Sequence, residues 1–360
     1  MHSESSAPTL RTLALLGASV VLCGCVALPP SFEVAGTHAV VRSDDPADLV
    51  RVERMSAQLI PQVEALLGAK QERALEIWIQ DEPAQFAFGV GSYADADGFY
   101  ATGTGRIHLR KTSDRIDRTL AHELVHALLP SGWETMPGTL EEGVCDLVSQ
   151  TLVQDSATRL RAGRLGAAAF ATGGLLVEVQ IDLPDDGGPT RTTLETRLRL
   201  ESETAVSVDP QRVFSEDAGL SSSTMGPEEK KALYGLGYLI ATRAEQRVGW
   251  EGVRTLCALQ GQEAQAAWLA AADLSLEQPA LRLAIGSEFG PRETWELLRA
   301  QPDFLIDQLA TALLPWEHDL EAALTRTRVR IVYVGGDPAG IELHFVRALL
   351  PRIQAAQARL

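Results

Sequence analysis

A chain of 360 residues with 45% hydrophobic content has enough apolar material to bury a core, which excludes wholesale disorder. Its 48 acidic residues outnumber 32 basic ones, giving a formal net charge of −16. Phosphate backbones are bound through clustered Lys and Arg, so nucleic acid is excluded as a partner class.

The first thirty residues read as an export signal. Arg11 precedes the apolar run "TLALLGASVVLCGCVALPP", which is too short and too early for a membrane span. Within it, "LCGC" (Leu22 to Cys25) resembles the lipobox of bacterial lipoproteins. That resemblance implies a signal over residues 1–25, lipid attachment at Cys25, and a protein anchored in the bacterial cell envelope facing the periplasm or exterior. Cys23 stands where a small residue is usual, and a plain secretory signal is the other reading. Only Cys145 and Cys257 remain for the body, either as one bridge or as two separate buried thiols.

In chain order, "THAVVRSDDP" alternates as a short edge strand. Apolar residues from Leu49 to Leu67 then recur at helical spacing, and Gly68 supplies a stop. "ALEIWIQD" reads as a strand with Leu75, Ile77 and Ile79 on one face and Trp78 on the other. A Gly-rich loop leads to a further strand, "RIHLRK", and then to a helix over "TLAHELVHALLP". Asp114 is placed to cap that helix and Pro130 to end it. Beyond Gln150 the pattern is mainly helical. It is interrupted by a hairpin over roughly Leu175 to Leu200, whose strands flank the turn sequence "PDDGGP". Pro227 opens a long helix with acids first and bases later, more helices run to about Leu324, and the tail reads as one strand, a Gly turn and a closing helix. The expected fold class is α+β. A small mixed sheet packs on the histidine-bearing helix within residues 26–150, a mainly helical part with one hairpin spans 151–325, and a strand and helix occupy 326–360.

His122 and His126 lie four residues apart, so a helix projects both from one face about one turn apart. With Glu123 they form HExxH, in which two imidazoles hold zinc and the glutamate acts as general base. A catalytic zinc takes a third protein ligand. The metzincin position for it is excluded, because Leu129 and Gly132 stand where that pattern needs Gly and His. Downstream, "TLEEGVCDLVSQ" offers Glu142 and Asp146, again four apart. Here the chain resembles the gluzincins, the HExxH peptidases with a glutamate third ligand. Glu142-Gly143 is similar to part of their Asn-Glu-Gly signature, and Glu142-x-x-x-Asp146 to their Glu-x-x-x-Asp element.

The resemblance implies Glu142 as third ligand and Asp146 as the carboxylate that orients His122. Two other readings of the segment stay open: a capping box, with Glu142 returning to its own helix terminus, and Glu141 as the ligand. Tyr234 with Gly237 is similar to the family's Tyr-x-x-Gly element, making Tyr234 the expected oxyanion donor, with Tyr238 as the alternative. The strand region "GFYATGTGRIHLRK" would form the cleft edge, where an extended peptide pairs through its backbone. The expected function is a Zn2+-dependent metallopeptidase of the cell envelope that hydrolyses peptide or protein substrates and is held at the membrane through Cys25. The alternative is an inactive peptidase-like lipoprotein that binds peptides or envelope partners.

Overall fold

The structure is a computed structural model that describes residues 29–71, 73–80, 97–133, 135–172, 175–185, 188–200, 208–215, 225–290, 292–293, 296, 310–311, 327–332, 342–344 and 350–358. Cys25 and the rest of the export signal lie outside the described residues. The fold is α+β, as the sequence pattern predicts.

Five strands form the first sheet: β1 (Phe32–Ala35), β2 (Ala39–Ser43), β3 (Leu75–Gln80), β4 (Gly98–Ala101) and β5 (Arg106–Arg110), in the order β1-β2-β3-β5-β4. β2, β3 and β5 are parallel neighbours, and the antiparallel strands β1 and β4 are the edges. Strand periodicity sends Val41, Ile77, Ile79, Ile107 and Leu109 to one fully buried face. The other face carries a polar and aromatic layer, in which Arg106 sits 3.6 Å over the Trp78 ring and salt-bridges Glu76. Two strands go beyond the sequence reading. β1 has no counterpart in the sequence reading and makes β2 an interior strand rather than the expected edge, and "GFYA", part of the Gly-rich loop ahead of "RIHLRK", forms the edge strand β4.

Helix α1 (Pro46–Leu67) starts where Asp45 accepts from the Ala47 N–H at 2.9 Å and ends at Gly68, whose φ of 69° is the left-handed stop. Helix α2 (Ile116–Ala127) carries HExxH and lays Ile116, Leu120 and Leu124 into the core. Each such side chain is worth about 1.5–3 kcal/mol of burial. Asp114 does not cap it. The position before the helix is Arg115, which has no side-chain capping bond, and the Asp114 carboxylate pairs with the Arg115 guanidinium instead.

Helix α3 (Gly138–Leu152) crosses α2 and bears the Glu142 segment. The capping-box reading fails here. The residue preceding the helix is Pro137, Thr139 is already helical, and its hydroxyl donates to the Val213 carbonyl. Helix α4 (Ala157–Phe170) and the long α5 (Pro227–Cys257), broken at Gly249 with φ 66°, pack behind α3. Helices α6 (Gly261–Ala272) and α7 (Gln278–Ser287) follow.

The hairpin forms as expected, from β6 (Leu175–Asp185) and β7 (Gly188–Leu200) paired Leu175↔Leu200 through Asp185↔Gly188. The tail departs from expectation. β8 (Thr327–Val332) pairs with β6, a second strand β9 (Glu342–His344) pairs with β8, and only then comes helix α8 (Leu350–Gln357). A strand added to a hairpin leaves a new row of open backbone groups, and three extended residues suffice to cover part of it. Among the described residues, no helix is long and apolar enough to cross a membrane.

Candidate metal centre

The apolar stripe of α2 points into the sheet side of the core, so its i, i+4 histidines emerge toward α3. On α3, Glu142, Cys145 and Asp146 share the facing side, since positions three and four apart lie on one flank of a helix. Both imidazole Nε2 atoms meet at one carboxylate: Glu142 Oε2 is 3.0 Å from His122 and Oε1 is 3.6 Å from His126. Each Nδ1 meets a different carboxylate, His122 with Asp146 at 3.1 Å and His126 with Glu141 at 2.6 Å. That arrangement fixes ring orientation and turns the Nε2 atoms inward, which a metal-ligating histidine requires.

Asp146 is held in turn by Arg164 of α4, whose Nε donates to its other oxygen at 2.5 Å. Burial alone would raise the Asp146 carboxyl, but the Arg164 guanidinium and the His122 contact drive it far below the usual range. Burial likewise disfavours charge on His122, yet its bonds to Asp146 and Glu142 lift the imidazole well above its ordinary value. His126 is raised against burial chiefly by Glu141. The carboxyls of Glu123, Glu141, Glu142 and Asp146 thus surround two imidazoles, with the Arg164 guanidinium behind Asp146, and they draw protons onto the rings. A divalent cation would satisfy the same demand for positive charge, so the donor set fits one.

Glu123, 6% exposed, lies on α2 beside His122, and burial raises its carboxyl above the ordinary range. The backbone N–H of Tyr100 in β4 faces it and works against that rise. The ladder explains why that N–H is available. Arg110 N–H donates to the Asp97 carbonyl at 2.8 Å, so by alternation the backbone groups of Gly98 and Tyr100 point away from β5, to the outer side of β4. Gly98 keeps that edge close to α2, because a Cβ there would meet Thr119 Cγ2 at 2.6 Å. A cavity of about 760 Å³ opens between Tyr100 and the C-terminal end of α2, with Lys70, Arg73, Ala127 and Ser131 in its lining.

Of the two tyrosines, Tyr238 is fully buried, and its hydroxyl donates to Gln150 within the helical core. Tyr234 is half-buried, its ring centre 5.9 Å from the Arg164 guanidinium. His108 stacks on Phe99 at 4.6 Å on the far face of the sheet, apart from the centre. Cys145 and Cys257 are separate, buried and free. Sequence reasoning missed Arg164, since periodicity does not say which flank of α4 meets α3. It also passed over Cys145 as a member of the cluster. His122, His126 and Cys145 can offer donor atoms that all lie within 4.8 Å of one another, and the signal for that was its position one turn after Glu142.

No family model matches the chain, and no curated protein and no solved structure matches it.

Proposed function

We propose that the protein is a gluzincin-like zinc peptidase of the bacterial cell envelope, anchored by lipid at Cys25 and acting on peptide or protein substrates. The observation that carries this reading is the meeting of both imidazole Nε2 atoms at the Glu142 carboxylate, with each Nδ1 held by a carboxylate of its own. His122, His126 and Glu142 would hold the ion. When bound, zinc supplies a Lewis acid that polarises the scissile carbonyl and acidifies the attacking water. Glu123 takes that water's proton and passes it to the leaving amine nitrogen. Its burial suits both transfers, because a raised carboxyl pKa lies nearer the working pH.

The substrate backbone would pair along β4 through the backbone groups of Gly98 and the Tyr100 carbonyl, in the manner of strand addition. The neighbouring cavity, with Lys70 and Arg73 in its lining, gives one flanking side chain of the substrate a cationic site. Tyr234 would donate its hydroxyl to the developing oxyanion.

The test is Glu123→Gln in the purified protein. Stoichiometric zinc with hydrolysis reduced by about 10²–10⁴-fold is expected, and undiminished hydrolysis would refute the role of Glu123. Zinc bound by a wild-type protein that cleaves nothing in a peptide library would favour the binding-scaffold reading instead.

A further inference from the structure

Cys145 stands inside the candidate centre, and the function proposed above does not use it. It is 0% exposed, free of any disulfide, and one turn beyond Glu142 on the flank of α3 that faces the histidines. Its Sγ lies 3.5 Å from His126 Nε2, the same atom that faces Glu142 Oε1 at 3.6 Å.

We propose that Cys145 Sγ is a fourth protein ligand of the ion held by His122, His126 and Glu142, so that the resting protein presents two nitrogens, one oxygen and one sulfur to it. The inference rests on the metal-centre reading given above and extends it. Zinc bonds of about 2.0 Å to nitrogen and 2.3 Å to sulfur, at a tetrahedral angle, place those two donors about 3.5 Å apart. The observed 3.5 Å between Sγ and His126 Nε2 already matches that edge. A cysteine present only for packing is expected among apolar neighbours. This one borders the apolar core, yet its Sγ also reaches the imidazole of His126 on the next helix, a polar contact that packing alone does not require.

Ligation releases the thiol proton to solvent while sulfur keeps the bonding electron pair, so uptake of the ion becomes pH-dependent. Two consequences follow for selectivity and activity. A sulfur donor biases the centre toward soft and borderline ions such as zinc, cobalt and cadmium over magnesium or calcium. Four protein ligands also make a closed set, whereas a catalytic site keeps one position open. Hydrolysis is therefore held back until Cys145 withdraws or the coordination number rises.

The experiment is absorption spectroscopy of the purified full chain titrated with Co2+, alongside Cys145→Ala and the near-isosteric Cys145→Ser. The proposal expects visible ligand-field bands of four-coordinate cobalt together with a near-ultraviolet sulfur-to-cobalt charge-transfer band. In both variants that near-ultraviolet band should vanish while the visible bands remain. Visible bands without a near-ultraviolet band in the wild type would overturn the ligand role of Cys145 and leave the metal centre standing. A charge-transfer band that survives in the variants would assign the sulfur elsewhere and overturn it too. Failure of the wild type to take up cobalt at all would remove the metal-centre reading itself.

Discussion

Gly143 and Gly237 face each other backbone to backbone where α3 crosses α5: a Cβ on Gly143 would fall on the Gly237 peptide, and one on Gly237 would fall on the Thr139 carbonyl. The glycine after Glu142 therefore has a packing reason. It lets the helix carrying Glu142 and Asp146 seat against α5 at a fixed height, which sets how far those carboxylates reach toward α2. Gly143→Ala should destabilise the protein by about 1–3 kcal/mol through overpacking. Urea denaturation checks this, and an unchanged midpoint would mean the two helices yield freely.

Asp146 joins His122 to Arg164, so removing its charge should loosen the ring that aims Nε2. Asp146→Asn is expected to weaken zinc binding by about 10–100-fold, the usual range for a partner behind a ligating histidine. Isothermal titration with zinc measures it directly. Affinity equal to wild type would mean that packing alone orients His122.

The two tyrosines should separate by readout. Tyr234→Phe is expected to lower kcat by about 10²–10³-fold with KM little changed, as for a donor that acts on the developing oxyanion. Tyr238→Phe should leave kcat intact and instead lower stability by about 1–3 kcal/mol, because half-buried Gln150 loses its hydroxyl partner. Steady-state kinetics and thermal melts on both variants decide the assignment.

His108 supplies a pH test independent of the centre. Burial, and then Arg106, push its pKa down from the ordinary 6.5 to about 4. Above pH 6.5 the ring is neutral in folded and unfolded chains alike. As pH falls from 6.5 toward 4 only the unfolded chain gains the proton, so stability drops, and below 4 the loss levels off. The separation between 6.5 and about 4 corresponds to about 3 kcal/mol. His108→Gln should flatten this part of the stability profile in denaturation series between pH 7 and 4.

Much of this arrangement was legible in the chain. Period-2 alternation placed β3 and β5, helical spacing placed α1 and α2, and the turn chemistry of "PDDGGP" placed the hairpin. The i, i+4 spacing of His122 with His126, and of Glu142 with Asp146, put each pair on one flank before any packing was known. The relations between helices were not legible. Arg164 reaches Asp146 only because Gly235 lets α4 press onto α5, and Glu141 turns to His126 Nδ1 rather than to the shared Nε2 side. Spacing within one helix says nothing of the azimuth of its neighbour. The short strands β1, β4 and β9 escaped for another reason: three or four residues give too few alternations to separate strand from loop, and tertiary pairing decides them.

The proposed function requires that His122, His126 and Glu142 share one divalent ion. Elemental analysis of the purified protein with zinc titration of Glu142→Ala and His126→Ala tests it most directly. One zinc per wild-type chain and a loss of high-affinity binding in both variants are expected. A wild-type protein that binds no zinc, or a Glu142→Ala variant that binds it as tightly as wild type, would contradict it.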